Sequence, residues 1–124
     1  MSYNILVVDD SKTVRRMIAK ALEAAGVPLN QVHQAENGRD ALEVLAAEWI
    51  DLVLTDINMP EMDGMELVRT MAEKELLQSV PVVVVSTEGS EERITALKQQ
   101  GIRGYLRKPV TPESIKTTVE GILG

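Results

Sequence analysis

Short apolar runs alternate with helical patterns along the whole chain, and this alternation limits the fold more than any other feature. Apolar runs typical of β-strands occur at residues 5–8, 52–54 and 82–85, with weaker ones at 32–35 and 104–106. Between and after them, apolar residues recur at helical spacing, which predicts five helices. Strict alternation of strands and helices favours a parallel sheet covered by helices on both faces. We therefore predict an α/β protein with a doubly wound, five-stranded parallel sheet.

Capping residues mark the ends of several predicted helices. Gly26 follows the apolar stripe of the first helix and ends it. Asn37 can cap the second helix and Ser90 the fourth. Thr111, followed by a proline, predicts the start of the fifth helix.

Two of the apolar strands end in carboxylates, which cost free energy at a hydrophobic sheet unless something pairs with them. Residues 5–8 lead directly into Asp9 and Asp10, and the third predicted strand leads into Asp56. Ligands of open parallel sheets bind beyond the carboxyl ends of the strands, and neighbouring strands lie about 4.8 Å apart. Three carboxylates crowded there would attract a cation. Ligands that are all oxygen atoms suit a hard divalent ion such as magnesium, Mg²⁺.

A cation beside a carboxylate also makes a site for a phosphoryl group, whose transfer depends on positioning and charge neutralisation. Asp56 could then attack phosphorus and become an aspartyl phosphate. The fourth strand ends in Ser86 and Thr87, whose hydroxyls can hydrogen-bond phosphoryl oxygens, and the fifth is followed by Lys108. Each of these residues alone is typical of a turn, a cap or a solvated charge. Their joint placement after four of the five strands favours one shared site.

The bulk properties fit a single domain, which we place at residues 1–124. The net charge of −6 argues against nucleic acid or an anionic membrane as a partner. The absence of cysteine is compatible with a reducing compartment, and neither a secretory leader nor a membrane-spanning run is evident. We expect a cytoplasmic protein.

Four segments in order also carry a family resemblance: VVDDS at 7–11, TDINMPEMDG at 55–64, Ser86-Thr87, and GYLRKP at 104–109. Together they resemble the receiver domains of bacterial response regulators, most of all the single-domain chemotaxis type (CheY-like). The resemblance covers essentially the whole chain. It implies a flavodoxin-like sheet of strand order 2-1-3-4-5.

The resemblance also implies the chemistry of the site. Asp56 matches the phosphoacceptor. Asp9 and Asp10 match the acids that bind Mg²⁺ together with Asp56, and the backbone carbonyl of Asn58 matches a further ligand. Lys108 matches the lysine that contacts the phosphoryl group, and its bond to the following proline is typically cis in the family.

The remaining matched residues belong to the switch and to dephosphorylation. Ser86 matches the switch hydroxyl, where many receivers have threonine, and Tyr105 matches the switch aromatic. Asn58 and Glu88 occupy the two positions that gate the attacking water in the family. Their polar pairing is that of fast-cycling chemotaxis proteins and implies a short-lived adduct.

The resemblance implies a phosphorylation-dependent switch and not an enzyme, apart from catalysis of its own phosphorylation and dephosphorylation. A histidine kinase would be the phosphodonor, and a phosphatase is a further candidate partner. No output domain follows the fifth helix in this sequence, so we expect output through contact with a target protein unless the sequence is a piece of a longer protein. The expected surface is the face of helix 4, strand 5 and helix 5, including Ile94, Lys98, Tyr105 and Ile115.

Some residues depart from the family pattern or lie outside it. Ile57 follows the phosphoacceptor where the enterobacterial chemotaxis protein has tryptophan. Trp49, the one tryptophan, is expected to pack against the body of the protein. On the first helix, Arg15, Arg16 and Lys20 are candidates for docking an acidic kinase.

Three other hypotheses remain open. A haloacid-dehalogenase-type phosphatase also uses an aspartyl phosphate, but it would have Asp-x-Asp-x-Thr after its first strand and usually a longer chain. A pseudo-receiver would serve only as a scaffold, although all the phosphorylation residues are present. A nucleotide-binding domain would have a glycine-rich loop where Asp9 and Asp10 follow Val8.

Overall fold

The computed structural model describes residues 2–87 and 91–124, in which strands and helices alternate. The strands are β1 (Tyr3–Val8), β2 (Leu29–Ala35), β3 (Leu52–Thr55), β4 (Val82–Ser86) and β5 (Gly104–Arg107). The helices are α1 (Lys12–Ala24), α2 (Gly38–Ala47), α3 (Gly64–Glu73), α4 (Glu91–Gln100) and α5 (Pro112–Leu123). All strand pairs are parallel, and the strand order is β2-β1-β3-β4-β5. The predicted fold is confirmed.

The central strands are apolar on both faces because helices cover both sides of the sheet. On β1, Ile5 and Val7 pack in a cluster with residues of α1 and α5. Leu6 and Val8 point the other way, into a cluster with residues of α2, α3 and α4. All four side chains are at most 1% exposed. Successive side chains of β1 thus point into two different buried clusters, one on each face of the sheet. Both faces are buried, so every residue of the run is apolar.

Most predicted helix boundaries are confirmed. The side chain of Asn37 caps α2, and Thr111 forms a capping box with Ser114 at the start of α5. Gly26 adopts a φ of +76° just after α1, a conformation that glycine tolerates without strain. The predicted cap Ser90 lies outside the described residues.

The second strand is longer than predicted, because it begins at Leu29 and not near residue 32. It is an edge strand that pairs only with β1 among the described strands. Polar side chains are tolerated in an edge strand. The apolar pattern in the sequence therefore identified only the second half of β2, at residues 32–35.

The expectation that Trp49 packs against the body of the protein is wrong. Its side chain is 78% exposed, and its indole N–H donates to Oδ1 of Asp51 at 3.0 Å. Trp49 lies in the turn before β3, at the sheet edge opposite the predicted site, where the chain leaves α2. This hydrogen bond joins the exposed indole to a residue two positions along the chain.

Ile115 is not part of a surface on α5. It is fully buried in the cluster that α5 shares with α1, so it cannot contact a target protein in this structure. Ile94 is half-buried and Lys98 is exposed on α4. Every helix in the described part of the chain is too short or too polar to span a membrane.

Candidate functional site

Three carboxylates meet at the carboxyl edge of the sheet because β1 and β3 are adjacent and parallel. Asp9 and Asp10 follow β1, and Asp56 follows β3. One carboxylate oxygen of each residue lies within 4.8 Å of the others. Asp9 and Asp56 are 1% and 9% exposed, whereas Asp10 is open to solvent. The sequence-predicted acids are therefore brought together in a cluster that is able to bind a metal ion.

Asp9 is held at every polar atom. Its Oδ1 accepts a hydrogen bond from the backbone N–H of Ser11 at 2.9 Å, and its Oδ2 accepts one from Nζ of Lys108 at 2.7 Å. Its backbone N–H donates to the carbonyl of Ala35 at 3.0 Å, and its own carbonyl accepts from Arg15 at 2.6 Å. The orientation of Asp9 is thus set by four other residues, from the start of α1, the end of β2 and the segment after β5.

Asp56 is the acid that follows β3, and both of its carboxylate oxygens have a close partner. Its Oδ1 accepts from the backbone N–H of Ile57 at 2.8 Å, and its Oδ2 lies 3.3 Å from Nζ of Lys108. Burial nevertheless raises the pKa of Asp56 above its ordinary value, because it outweighs the attraction of Lys108. A cation placed at the cluster would relieve this cost.

Lys108 lies between two of the acids. Burial favours its neutral form, but the hydrogen bond to Asp9 and the charges of Asp56 and Asp9 outweigh this effect and raise the pKa of Lys108. Its backbone N–H donates to the carbonyl of Ser86 at 3.0 Å, and the peptide bond to Pro109 is cis, as the family resemblance implies. Lys108 therefore stays charged beside the carboxylates.

The loop from β3 to α3 folds tightly against Asp56 because residue 64 is glycine. The N–H of Gly64 donates to the carbonyl of Ile57 at 2.7 Å. A Cβ atom at residue 64 would clash with the carbonyl oxygen of Asp56 and lie 2.9 Å from Cα of Ile57. In the sequence, Gly64 appears only as the last residue of the segment 55–64, and its packing role was not predicted.

The predicted switch residues lie at the neighbouring strand ends. Ser86 is 1% exposed at the end of β4, and Tyr105 is half-buried on β5. The phenol of Tyr105 donates to the carbonyl of Ser86 at 3.4 Å, so its ring already lies partly against the sheet. Asn58 is exposed on the loop after β3, while Glu88 lies outside the described residues.

The guanidinium of Arg15 forms hydrogen bonds within the protein, so it is not a free surface charge. Its Nη1 donates to the carbonyl of Asp9, and its Nε donates to Oε1 of Gln34 at 2.8 Å. Arg16 and Lys20 are exposed on the same helix. Sequence reasoning grouped all three as a docking surface, because spacing along a helix does not show which side chain turns back to the sheet.

The chemistry of the donor set fits a hard divalent cation. All three side chains offer carboxylate oxygens, and the described residues place no histidine in the cluster. Since Asp10 is exposed and Asp56 is buried, the cluster has a wet side and a dry side. Solvent can therefore reach the cluster from the side of Asp10.

Sequence comparison identifies one protein family and several similar proteins. Residues 5–120 match the model of the family described as "Response regulator receiver domain". The chain is 42% identical to a chemotaxis protein CheY homolog of Campylobacter jejuni over 122 residues, which cover 97% of this chain and 92% of that protein. It is 43% identical to chemotaxis protein CheY1 of Helicobacter pylori, with coverage of 97% and 96%.

Solved structures agree with these sequence matches. The structure of chemotaxis protein CheY4 of Vibrio cholerae superimposes with a TM-score of 0.86 and 32% sequence identity, covering 99% of this chain and all of that one. The beryllofluoride-activated receiver domain of DrrB superimposes with a TM-score of 0.83 and 25% identity, covering 99% and 98%.

Proposed function

Because the chain belongs to the response regulator receiver domain family, we propose that it works as a two-component switch in which Asp56 accepts the phosphoryl group. The observation that carries this assignment is the pairing of a buried, destabilised Asp56 with Lys108, 3.3 Å away, inside the acid cluster. We infer that the receiver domain spans residues 1–124.

Asp9, Asp10 and Asp56, with the backbone carbonyl of Asn58, are the residues that we propose hold Mg²⁺. When bound, this ion neutralises charge on the phosphoryl oxygens. Oδ1 of Asp56 is already hydrogen-bonded to the N–H of Ile57, whereas Oδ2 faces Lys108. We propose that a carboxylate oxygen of Asp56 attacks the phosphorus atom of the donor. Lys108 then pairs with the transferred phosphoryl group.

The phosphoryl group passes from a phosphohistidine of the kinase to Asp56. A carboxylate oxygen of Asp56 forms a bond to phosphorus while the bond from phosphorus to the imidazole nitrogen of a phosphohistidine breaks. The electron pair leaves with the imidazole, which takes up a proton. Water later attacks the same phosphorus and releases phosphate, and the side chains of Asn58 and Glu88 control access to that path. In this proposal the protein catalyses its own phosphorylation and dephosphorylation and acts on no other substrate.

The partners follow from this chemistry. A histidine kinase supplies the phosphoryl group, and a target protein recognises the phosphorylated form on the face of α4, β5 and α5. Lys98 is exposed on that face and Tyr105 is half-buried there. The names of the relatives support a chemotaxis pathway. We further propose a phosphatase as an additional partner and the cytoplasm as the place of action.

Family membership argues against the haloacid-dehalogenase-type and nucleotide-binding hypotheses. The scaffold hypothesis is disfavoured by the site itself, since a scaffold needs neither three crowded acids nor a lysine held between two of them.

The proposal is tested by labelling with a small phosphodonor. Acetyl phosphate with Mg²⁺ should add one acid-stable, base-labile phosphoryl group, detected by mass spectrometry. Asp56→Asn should abolish the adduct, and Asp40→Asn, the same change on α2 outside the acid cluster, should retain it. Equal labelling of Asp56→Asn and the wild type would overturn the assignment, and so would undiminished labelling in excess EDTA.

A further inference from the structure

Arg15 touches the acid cluster without offering it a ligand. Its Nη1 donates to the backbone carbonyl of Asp9 at 2.6 Å, which is a short, charge-assisted hydrogen bond. Its Nε donates at 2.8 Å to Oε1 of Gln34, a residue near the end of β2. The guanidinium therefore bridges the edge strand and the loop that carries two of the acids.

The carbonyl that Arg15 holds belongs to the peptide unit joining Asp9 to Asp10. A peptide unit is planar, so fixing its oxygen also fixes the N–H of Asp10 and the direction in which the chain enters Asp10. Asp9 has other anchors, namely Ser11, Lys108 and the pairing of its N–H with β2. Asp10 is exposed, and the bond from Arg15 is the restraint closest to it on this peptide.

We propose that Arg15 is a positioning residue for the metal site, held in place by Gln34, and that it acts by fixing the peptide between Asp9 and Asp10. The inference rests on the proposed function, because it concerns the affinity of the acid cluster for Mg²⁺. Residues that orient metal ligands without touching the metal commonly change metal affinity by 10- to 100-fold when they are removed.

The sign of the effect separates positioning from simple electrostatics. A guanidinium near three carboxylates repels a divalent cation, so a purely electrostatic role predicts that removing its charge tightens Mg²⁺ binding. A positioning role predicts weaker binding, because the acids lose their alignment. Arg16, the next residue, is exposed and carries the same charge, so it reports the electrostatic effect alone.

The experiment measures the Mg²⁺ dissociation constant of the unphosphorylated protein by calorimetry and by NMR titration. Arg15→Met should weaken binding by about tenfold, and Arg16→Met should leave it unchanged or slightly tighter. Arg15→Lys keeps the charge and one donor group, so it should fall between Arg15→Met and the wild type. Gln34→Ala changes an exposed side chain that does not touch the acids, and it should weaken binding measurably but less than Arg15→Met does.

A second readout is the rate of labelling by acetyl phosphate as a function of Mg²⁺ concentration. In Arg15→Met the half-saturating Mg²⁺ concentration should rise, while the rate at saturating Mg²⁺ should stay within about twofold of the wild type. The inference is overturned if Arg15→Met binds Mg²⁺ as tightly as Arg16→Met, or if Gln34→Ala has no effect. Failure of the wild type to bind Mg²⁺ would overturn the proposed function itself. A wild type that binds Mg²⁺ together with an unaffected Arg15→Met would overturn only the role of Arg15.

Discussion

Nζ of Lys108 lies 2.7 Å from Oδ2 of Asp9, closer than the 3.3 Å that separates it from Oδ2 of Asp56. Lys108, which directly follows β5, is therefore paired more closely with Asp9 than with the proposed phosphoacceptor Asp56. Lys108 and a divalent ion neutralise the same carboxylates, so their contributions to stability should be interdependent.

The first prediction concerns this interdependence. Lys108→Met should lower the free energy of unfolding of the metal-free protein by about 2 kcal/mol, because it leaves the buried Asp9 and Asp56 without their cation. Mg²⁺ should then raise the melting temperature of the variant more than that of the wild type, since the ion replaces the missing charge. Lys98→Met, on the exposed face of α4, is the control. Equal Mg²⁺-induced shifts in Lys108→Met and the wild type would contradict the prediction.

The second prediction concerns pH. Burial raises the pKa of Asp56 in the folded state, so the folded protein binds a proton more readily than the unfolded chain does. The wild type therefore loses stability as pH rises from the ordinary carboxyl value through the raised one. Asp56→Asn lacks this loss. In EDTA, its melting temperature should exceed that of the wild type by about 2–5 °C at pH 7, and the gain should shrink as pH falls toward 4.5.

Circular dichroism melts of both proteins between pH 4.5 and 7.5 would measure this gain. Asp40→Asn provides the comparison, because Asp40 lies in the first turn of α2, where a negative charge is favourable, and its removal should stabilise at no pH. A stability difference between Asp56→Asn and the wild type that is the same at every pH would show that the carboxylate charge is not its source.

The fold and the acid cluster could be predicted because both follow from simple periodicities. Continuous apolar runs between helical patterns lead to a covered parallel sheet, and residues that directly follow its strands must meet at one edge. The sequence alone therefore predicts that Asp9, Asp10 and Asp56 lie together, and the structure places them within one cluster.

Contacts made by side chains across elements could not be predicted in the same way. Arg15 and Gln34 are 19 residues apart and meet only because α1 packs beside β2. Trp49 is large and apolar, so composition argued for burial, but its position in a turn leaves it at the surface. Ile115 differs, because its helical spacing with Val119 and Ile122 already indicates the inner face of α5, where the structure buries it. Its assignment to the output face followed the helix as a whole and not this spacing. For Arg15 and Trp49, position along the chain does not fix the direction of the side chain.

A third prediction uses two glycines as a matched pair. Gly64→Ala places a methyl group against the backbone of Asp56 and Ile57, whereas Gly121→Ala, inside α5, meets nothing within 4 Å. Gly64→Ala should lower the free energy of unfolding by about 2–4 kcal/mol and reduce labelling of Asp56. Gly121→Ala should raise stability by up to about 1 kcal/mol through helix propensity. Chemical denaturation and acetyl phosphate labelling measure both effects, and wild-type labelling by Gly64→Ala would show that the close packing of this loop is not required.

The last prediction concerns the path from the phosphoryl site to the output face. Ser86 is buried at the end of β4, and the phenol of Tyr105 already donates to its backbone carbonyl at 3.4 Å. A phosphoryl group on Asp56 offers new acceptor oxygens, and we expect the hydroxyl of Ser86 to turn toward them. Tyr105 should then move into the space that this hydroxyl leaves. Phosphorylation can shift this equilibrium only as far as it stabilises the second state over the first.

Beryllofluoride mimics the phosphoryl group and allows this path to be followed by NMR. In the wild type, chemical-shift changes should spread from Asp56 to Ser86, Tyr105 and α4. Ser86→Ala should still bind beryllofluoride, but the changes should stay within the site, because the variant lacks the hydroxyl that couples the site to Tyr105. Thr87→Ala removes a neighbouring hydroxyl that is exposed, and it should behave as the wild type. Changes that reach α4 undiminished in Ser86→Ala would show that the signal travels by another route.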